Sequence, residues 1–212
     1  SFGVLRHHKR ASCHNSATPM IITAIDFETA NYSRASMCAA GMAVFENGEL
    51  VESPYWLVRP PKGHGWFLPE FTNDCHGLSW FDVQDAPEFA AIAPEFLARL
   101  TRSDLVVAHT APFDLGVLRA TLGHFGLACP EFRWACTRQM ARRVWPDLPN
   151  HRLNTLAAHI GHDFQHHHAQ SDAEAAGRLM LAIKHVTSKA DNHPSRNVLA
   201  AAPKNITLAE LS

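Results

Sequence analysis

The 212-residue sequence predicts an α/β protein with one mixed sheet covered by helices. Three observations carry this. An apolar, β-branched run from Ile21 to Ile25 leads into Asp26-Phe27-Glu28-Thr29-Ala30 and reads as a buried strand. A second apolar run ends in Glu46-Asn47-Gly48-Glu49, whose Asn-Gly pair signals a hairpin. Further on, apolar runs alternate with stretches at helical spacing, and a hairpin followed by such alternation implies a mixed sheet.

Taken in order, Asn31 to Ser36 is a polar loop, and Met37 to Phe45 is the second strand. The third, Leu50 to Val58, pairs antiparallel with it until Pro60 and Pro61 end the run. Residues 62–85 read as irregular, with most of their rings (Trp66, Phe67, Phe71, Trp80, Phe81) in the core. Phe89, Ile92, Phe96, Leu97 and Leu100 mark a helix from Pro87 to Leu100. Leu105 to Ala108 is a buried strand, and Pro112 suits the first turn of the helix that follows to about Phe125. Phe132 to Cys136 is a short fifth strand. Helices are expected over Thr137–Val144, Arg152–Ile160 and Ser171–His185, the last with Ser171 as N-cap and Glu174 completing a capping box.

Bulk properties fit one soluble domain: 46% hydrophobic and 18% charged residues, with net charge -1. There is no global basic field for wrapping long nucleic acid, although gripping a chain end needs only a local patch. The five cysteines show no C-x-x-C pairing, which fits a reducing cytoplasm. No apolar stretch approaches a membrane span, and residues 1–19 lack the apolar core of a signal peptide. The expected organisation is a flexible, added or upstream-translated segment over 1–19, a domain over 20–187 and a polar tail over 188–212.

The chemistry concentrates in three acidic stretches. Strand alternation puts Asp26 and Glu28 on one side and Phe27 on the other. Two carboxylates converging at a strand end either form a solvated edge or hold a divalent cation, with hard oxygen ligands favouring Mg²⁺ or Mn²⁺. Asp114 stands in the first turn of a helix directly after a buried strand, where the dipole favours any carboxylate. Asp172 stands early in the last helix, after His166-His167-His168, which is either a polar loop or, without nearby cysteines, a weak zinc candidate.

In this order, D-x-E, A-H-x-x-F-D and H-x-A-x-x-D, the pattern resembles the DEDDh 3′–5′ exonucleases, and within them the DnaQ-like, polymerase III epsilon-type group. Further stretches share the likeness: Asp26 to Asn31, Arg34 to Ser36, Cys75 to Leu78, Cys136 to Arg138 and Pro149 to Leu156. The resemblance implies an RNase H-like fold with a five-stranded mixed sheet of order 3-2-1-4-5. It also implies metal ligation by Asp26, Glu28, Asp114 and Asp172, and a general base at His167, five residues before the last acid. Two divalent ions, Mg²⁺ or Mn²⁺, are the implied cofactors, and a nucleoside 5′-monophosphate is the implied product. One departure stands out: Thr110 replaces the asparagine common in the family, losing an amide's two-sided bonding.

Family likeness places Phe27, Thr29 and Ala30 beside the terminal nucleotide, with His109 and Phe113 as neighbours that either contact it or support the site. Arg138, Arg142 and Arg143 share a short helix and read either as phosphate contacts or, the favoured reading, as a solvated face. The implied partners are single-stranded 3′ ends, DNA foremost, and a DNA polymerase subunit, with no membrane. Other readings stay open: the same chemistry on RNA, as in RNase T and oligoribonuclease relatives, or a non-catalytic, polymerase-associated binding module.

Overall fold

A computed structural model describes residues 19–191. The expected segment over 1–19 lies, but for Pro19, outside these residues, as does the expected tail from 192 onward. The strands are β1 (Ile21–Thr29), β2 (Met37–Glu46), β3 (Glu49–Glu52), β4 (Tyr55–Leu57), β5 (Leu105–Ala108) and β6 (Trp134–Cys136). The helices are α1 (Pro69–Asp74), α2 (Trp80–Val83), α3 (Phe89–Thr101), α4 (Ala111–His124), α5 (Thr137–Val144), α6 (Leu153–His159) and α7 (Ala169–Asp191). The sheet runs β3-β2-β1-β5-β6, with β4 also on β2. β1 and β2 are antiparallel, while β5 and β6 run parallel to β1. This is the expected mixed sheet of the RNase H-like fold.

Alternation along β1 divides the interior into two layers. Ile25 and Phe27 face α3 and α4, packing with Met42, Phe89, Phe96 and Leu115. Ile22 and Ala24 face the other way, with Ala43, Phe45, Ala173, Ala176 and Met180. Continuing the period, Asp26 and Glu28 lie on the face that α7 covers. The small residues there let α7 approach the sheet closely. Gly41, partner of Asp26 on β2, is the tightest point, because a Cβ would overlap the backbone of Ala169 and Gln170. Gly41→Ala is therefore expected to push the start of α7 off the sheet and cost about 1–3 kcal/mol. A fall in Tm of roughly 5 °C in thermal unfolding would report it.

Four expectations about elements need correction. The strand expected over Leu50–Val58 is two strands: Pro54 has no N–H to donate, and its carbonyl instead accepts from the Met42 N–H. Residues 62–85 contain α1 and α2, the second held by a Ser79–Asp82 capping box. Their rings are not core: Trp66, Trp80 and Phe81 are exposed, and Phe67 and Phe71 only half-buried. Ser171 is not the N-cap of α7, which begins two residues earlier and continues to Asp191. The Ser171 hydroxyl accepts from the Gln165 N–H, and Glu174 pairs with Arg178 at 2.7 Å instead of closing a capping box.

The Asn47-Gly48 hairpin stands as read, with φ of 52° and 93° at its two turn residues. No described helix is long and apolar enough to cross a membrane.

Candidate active site

β1 and β5 run parallel, so both deliver their C-terminal ends to one edge of the sheet. Asp26 and Glu28 arrive there on β1, where a register shift between Glu28 and Thr29 breaks the pairing. Asp114 arrives on the first turn of α4, directly beyond β5, and Asp172 on the first turn of α7. Carboxylate oxygens of Asp26, Glu28 and Asp172 all lie within 4.8 Å of one another. Asp114, His109, Phe113, His166 and His167 line the same pocket of about 350 Å³.

Burial pushes all four acids up, and at Asp26, Glu28 and Asp114 neighbouring carboxylates add to it. Glu28 and Asp114 each rise to about 8, Asp26 rises well above the usual carboxylate range, and Asp172 is raised as well. Asp114 is held back from rising further by the backbone N–H groups of Asp114 and Phe27. On Asp172, His166 Nδ1 at 2.8 Å and the His168 N–H at 2.9 Å act in the same direction. A cluster of acids that cannot all ionise beside one another is a hard-oxygen donor set that fits divalent cations.

The raised values fix how stability should vary with pH. Native Glu28 and Asp114 keep their protons above the pH at which the unfolded chain loses them. Their contribution is thus complete below the ordinary carboxylate range and is lost as pH rises through about 8. In chelator, Tm is expected to fall between pH 6 and pH 9 by at least ~2–4 °C, the equivalent of about 1 kcal/mol. Mg²⁺ at the upper pH should restore it, measured by calorimetry with and without the ion.

His109 lines the pocket with both ring nitrogens engaged. Its Nε2–H donates to the His151 carbonyl at 3.0 Å, and Nδ1 meets Thr137 Oγ1 at 3.1 Å. Burial lowers it to about 4, so the ring is neutral. It ties the exit of β5 to the segment before α6, which brings Arg152 and Leu153 to the pocket. Arg138, expected on a solvated face, also lines the pocket. Reading residue by residue missed Arg152, although the stretch Pro149 to Leu156 already carried the family likeness.

Phe113 is 39% exposed at the pocket, a face free to meet a ligand. The Arg34 guanidinium lies 5.7 Å from the centre of that ring and donates to the carbonyls of Pro112 and Phe113. Gly116 makes room for Arg34, since a Cβ there would overlap the guanidinium. The Phe27 side chain points into the core, and Thr29 and Ala30 are buried and absent from the pocket lining. Thr110 lines the pocket, but its side chain does not cap α4.

His167 adopts a left-handed φ of 62°, and its Nδ1 lies 3.3 Å from Cys75 Sγ. The ring stacks on His166 at 3.9 Å. Burial and the neighbouring His166 hold His167 below the usual histidine range. Cys75 is positioned by His76, whose Nε2–H donates to the Thr29 carbonyl at 3.1 Å while Nδ1 accepts the Leu78 N–H.

The RNase T exonuclease family matches residues 23–180. The chain is 36% identical over 155 residues to a PolC-type DNA polymerase III of Oceanobacillus iheyensis, covering 72% of this chain and 10% of that protein. It is 32% identical over 142 residues to the 3′–5′ exonuclease DinG of Bacillus subtilis, covering 66% of this chain and 15% of the relative. It thus spans only about a tenth to a seventh of the length of these relatives. In fold it is similar to exonuclease X in complex with 5′ overhanging duplex DNA, with TM-score 0.64 and 24% identity, covering 79% of this chain and 93% of that one. Family membership implies dependence on divalent metal. With the D-x-E pair, the helix-borne Asp114 and the H-x4-D run ending at Asp172, the chain belongs to the RNase T exonuclease family, in its DEDDh group.

Proposed function

We propose that this chain is a metal-dependent 3′–5′ exonuclease that releases nucleoside 5′-monophosphates from single-stranded 3′ ends, with DNA the favoured substrate. The observation that carries the reading is the convergence of Asp26, Glu28 and Asp172 within 4.8 Å, in a pocket that Asp114 and His167 also line. A protein that only bound nucleic acid would gain nothing from four carboxylates facing a polyanion, because they repel it unless cations intervene. The pocket volume, about 350 Å³, suits one terminal nucleotide.

In this reading Asp26, Glu28, Asp114 and Asp172 would hold two ions, Mg²⁺ or Mn²⁺. When bound, these would lower the pKa of the attacking water and neutralise charge on the phosphate and the leaving 3′ oxygen. His167 supplies the base: with Nδ1–H donating to Cys75 Sγ, Nε2 is left to take the proton from water. Its lowered pKa keeps the ring neutral near pH 7. Arg138 and Arg152 offer cations to the phosphate, and Phe113 offers a stacking face to the terminal base. The backbone of Phe27 borders the sugar, with Thr29 and Ala30 acting as buried support beneath it.

The likeness to PolC-type polymerases and to DinG supports work on DNA ends beside a polymerase, either as one module of a longer chain or as a bound subunit. Co-purification of a replicative polymerase subunit with the tagged chain would test that association. The four described cysteines are unpaired, which supports a cytoplasmic setting.

The activity is tested with DNA and RNA oligomers of one sequence, labelled at the 5′ end, in Mg²⁺, in Mn²⁺ and in chelator. Stepwise shortening from the 3′ end that needs metal and is faster on DNA is the expected result. Faster shortening of RNA would reassign the substrate. No shortening of either would leave the binding-module reading in its place.

A further inference from the structure

A second groove, about 530 Å³, lies outside the acid pocket, lined by Arg59, Lys62, Gly65, Trp66, Trp80 and Glu88 among others. The segment that builds it hangs from the end of the catalytic strand. Asn31, two residues beyond β1, donates through Nδ2 to the carbonyls of His64 at 2.9 Å and Trp66 at 2.7 Å. The Leu68 N–H donates to the Ala30 carbonyl at 3.0 Å. Farther along, the same segment places Cys75 against His167. One continuous stretch therefore touches the acid-bearing strand, the general base and the groove.

The fold leaves two indoles on water there, with Trp66 52% and Trp80 40% exposed. They are fixed before any ligand arrives. Asn31 holds the Trp66 backbone, and the His64 ring lies nearly parallel to the Trp66 ring at 6.3 Å. His64 is itself held by Ser33 Oγ at 2.8 Å. Gly65 lets Trp80 come close, since a Cβ there would stand 3.1 Å from its ring. Fixed rings lose little entropy on binding. Arg59 pairs with Glu88 at 3.6 Å, but Lys62 brings a second cation, so the rim stays positive.

Flat apolar faces with a positive rim, beside a site that handles a polyanion, are the chemistry of single-stranded nucleic acid binding. Trp80 stands five residues after Cys75, a reach of at most ~18 Å. That distance is at most about five nucleotides, counted at the ~3.4 Å rise of one strand of a duplex. We propose that this groove is an upstream subsite in which unpaired bases a few nucleotides 5′ of the scissile end stack on Trp66 and Trp80 while Lys62 and Arg59 meet phosphates. The proposal rests on the exonuclease reading and adds to it a preference for longer single strands.

The test compares 5′-labelled dT10 and dT3, by fluorescence anisotropy in chelator and by 3′-end cleavage in Mg²⁺. Wild type is expected to favour dT10 in both. Trp66→Ala and Trp80→Ala should each weaken dT10 about tenfold, the equivalent of about 1.4 kcal/mol, and erode its advantage over dT3. Trp66→Tyr keeps a stacking face and should retain most of the binding, whereas Trp66→Leu keeps the bulk without the face and should lose it. That pair separates stacking from a folding defect. Equal binding of the two oligomers by wild type, or equal loss with Tyr and Leu, would overturn the subsite. Alanine variants that bind dT10 as wild type does would also overturn it and make the groove a protein-facing surface. The binding arm needs no cleavage: a length preference without cleavage supports the subsite and sinks only the exonuclease reading. Cleavage without a length preference sinks only the subsite.

Discussion

Asp26→Asn is expected to lower metal-dependent 3′-end cleavage by at least ~10³-fold, beyond the 10–100-fold typical of partners that merely orient a metal ligand. The replacement is nearly isosteric, so packing beside Gly41 is retained while one ionisable carboxyl leaves the cluster. Because Asp26 is buried and crowds Glu28 and Asp172 within 4.8 Å, removing its ionisable carboxyl should also relieve the fold. In chelator at pH 8 the variant should melt higher than wild type, and Mg²⁺ should stabilise it less. Activity and melting temperature thus move in opposite directions, as expected when a site holds like charges in readiness for a cation. A variant that melts lower than wild type in chelator would mean that Asp26 is a structural acid and that the metal reading of the cluster is wrong.

The second large effect is His167→Ala, expected to reduce kcat by ~10²–10⁴-fold, the usual range for loss of a general base. Metal affinity should change little, since His167 is outside the carboxylate cluster. His166→Ala is the informative comparison. His166 holds Asp172 directly, with Nδ1 2.8 Å from Oδ1, yet it stands six residues before the acid, whereas His167 stands five before it. If His166 only occupies the side of Asp172 that faces a cation, its loss should change kcat by less than ~5-fold. Single-turnover rates of both variants at saturating Mg²⁺ decide the matter. A larger loss from His166→Ala would move the base by one residue. With His167 as base, the rate should rise with pH along a limb lying below the ordinary histidine range, because burial and His166 both disfavour its protonated form.

The sheet was legible because its signals are local. A β-branched run, an Asn-Gly turn and helical spacing around Leu115 and Leu118 each report on neighbouring residues. Alternation through Asp26, Phe27 and Glu28 is legible for the same reason, and it correctly puts Phe27 on the side opposite the acids, which the structure shows to be core. Ser171 and Glu174 form a plausible capping box, yet α7 starts two residues before Ser171. The register is set by Gly41, where the helix backbone presses on the sheet, and that contact is not local. Apolarity alone puts most rings between residues 62 and 81 in the core, although Trp66, Trp80 and Phe81 stand in water.

By itself, the sequence determined the main run of strands and helices, short of α1, α2 and the break at Pro54, and the faces of β1, since these follow from residue type and short-range period. Only the tertiary structure decided that carboxylates 146 residues apart, Asp26 and Asp172, meet. The same holds for Cys75 beside His167, for His109 bracing the segment that brings in Arg152, and for the groove of Trp66 and Trp80 hanging from the end of β1. Each joins segments remote along the chain. Their approach depends on how closely α7 and the 59–80 segment pack on one sheet, which excluded volume and paired backbone groups settle and no local pattern records.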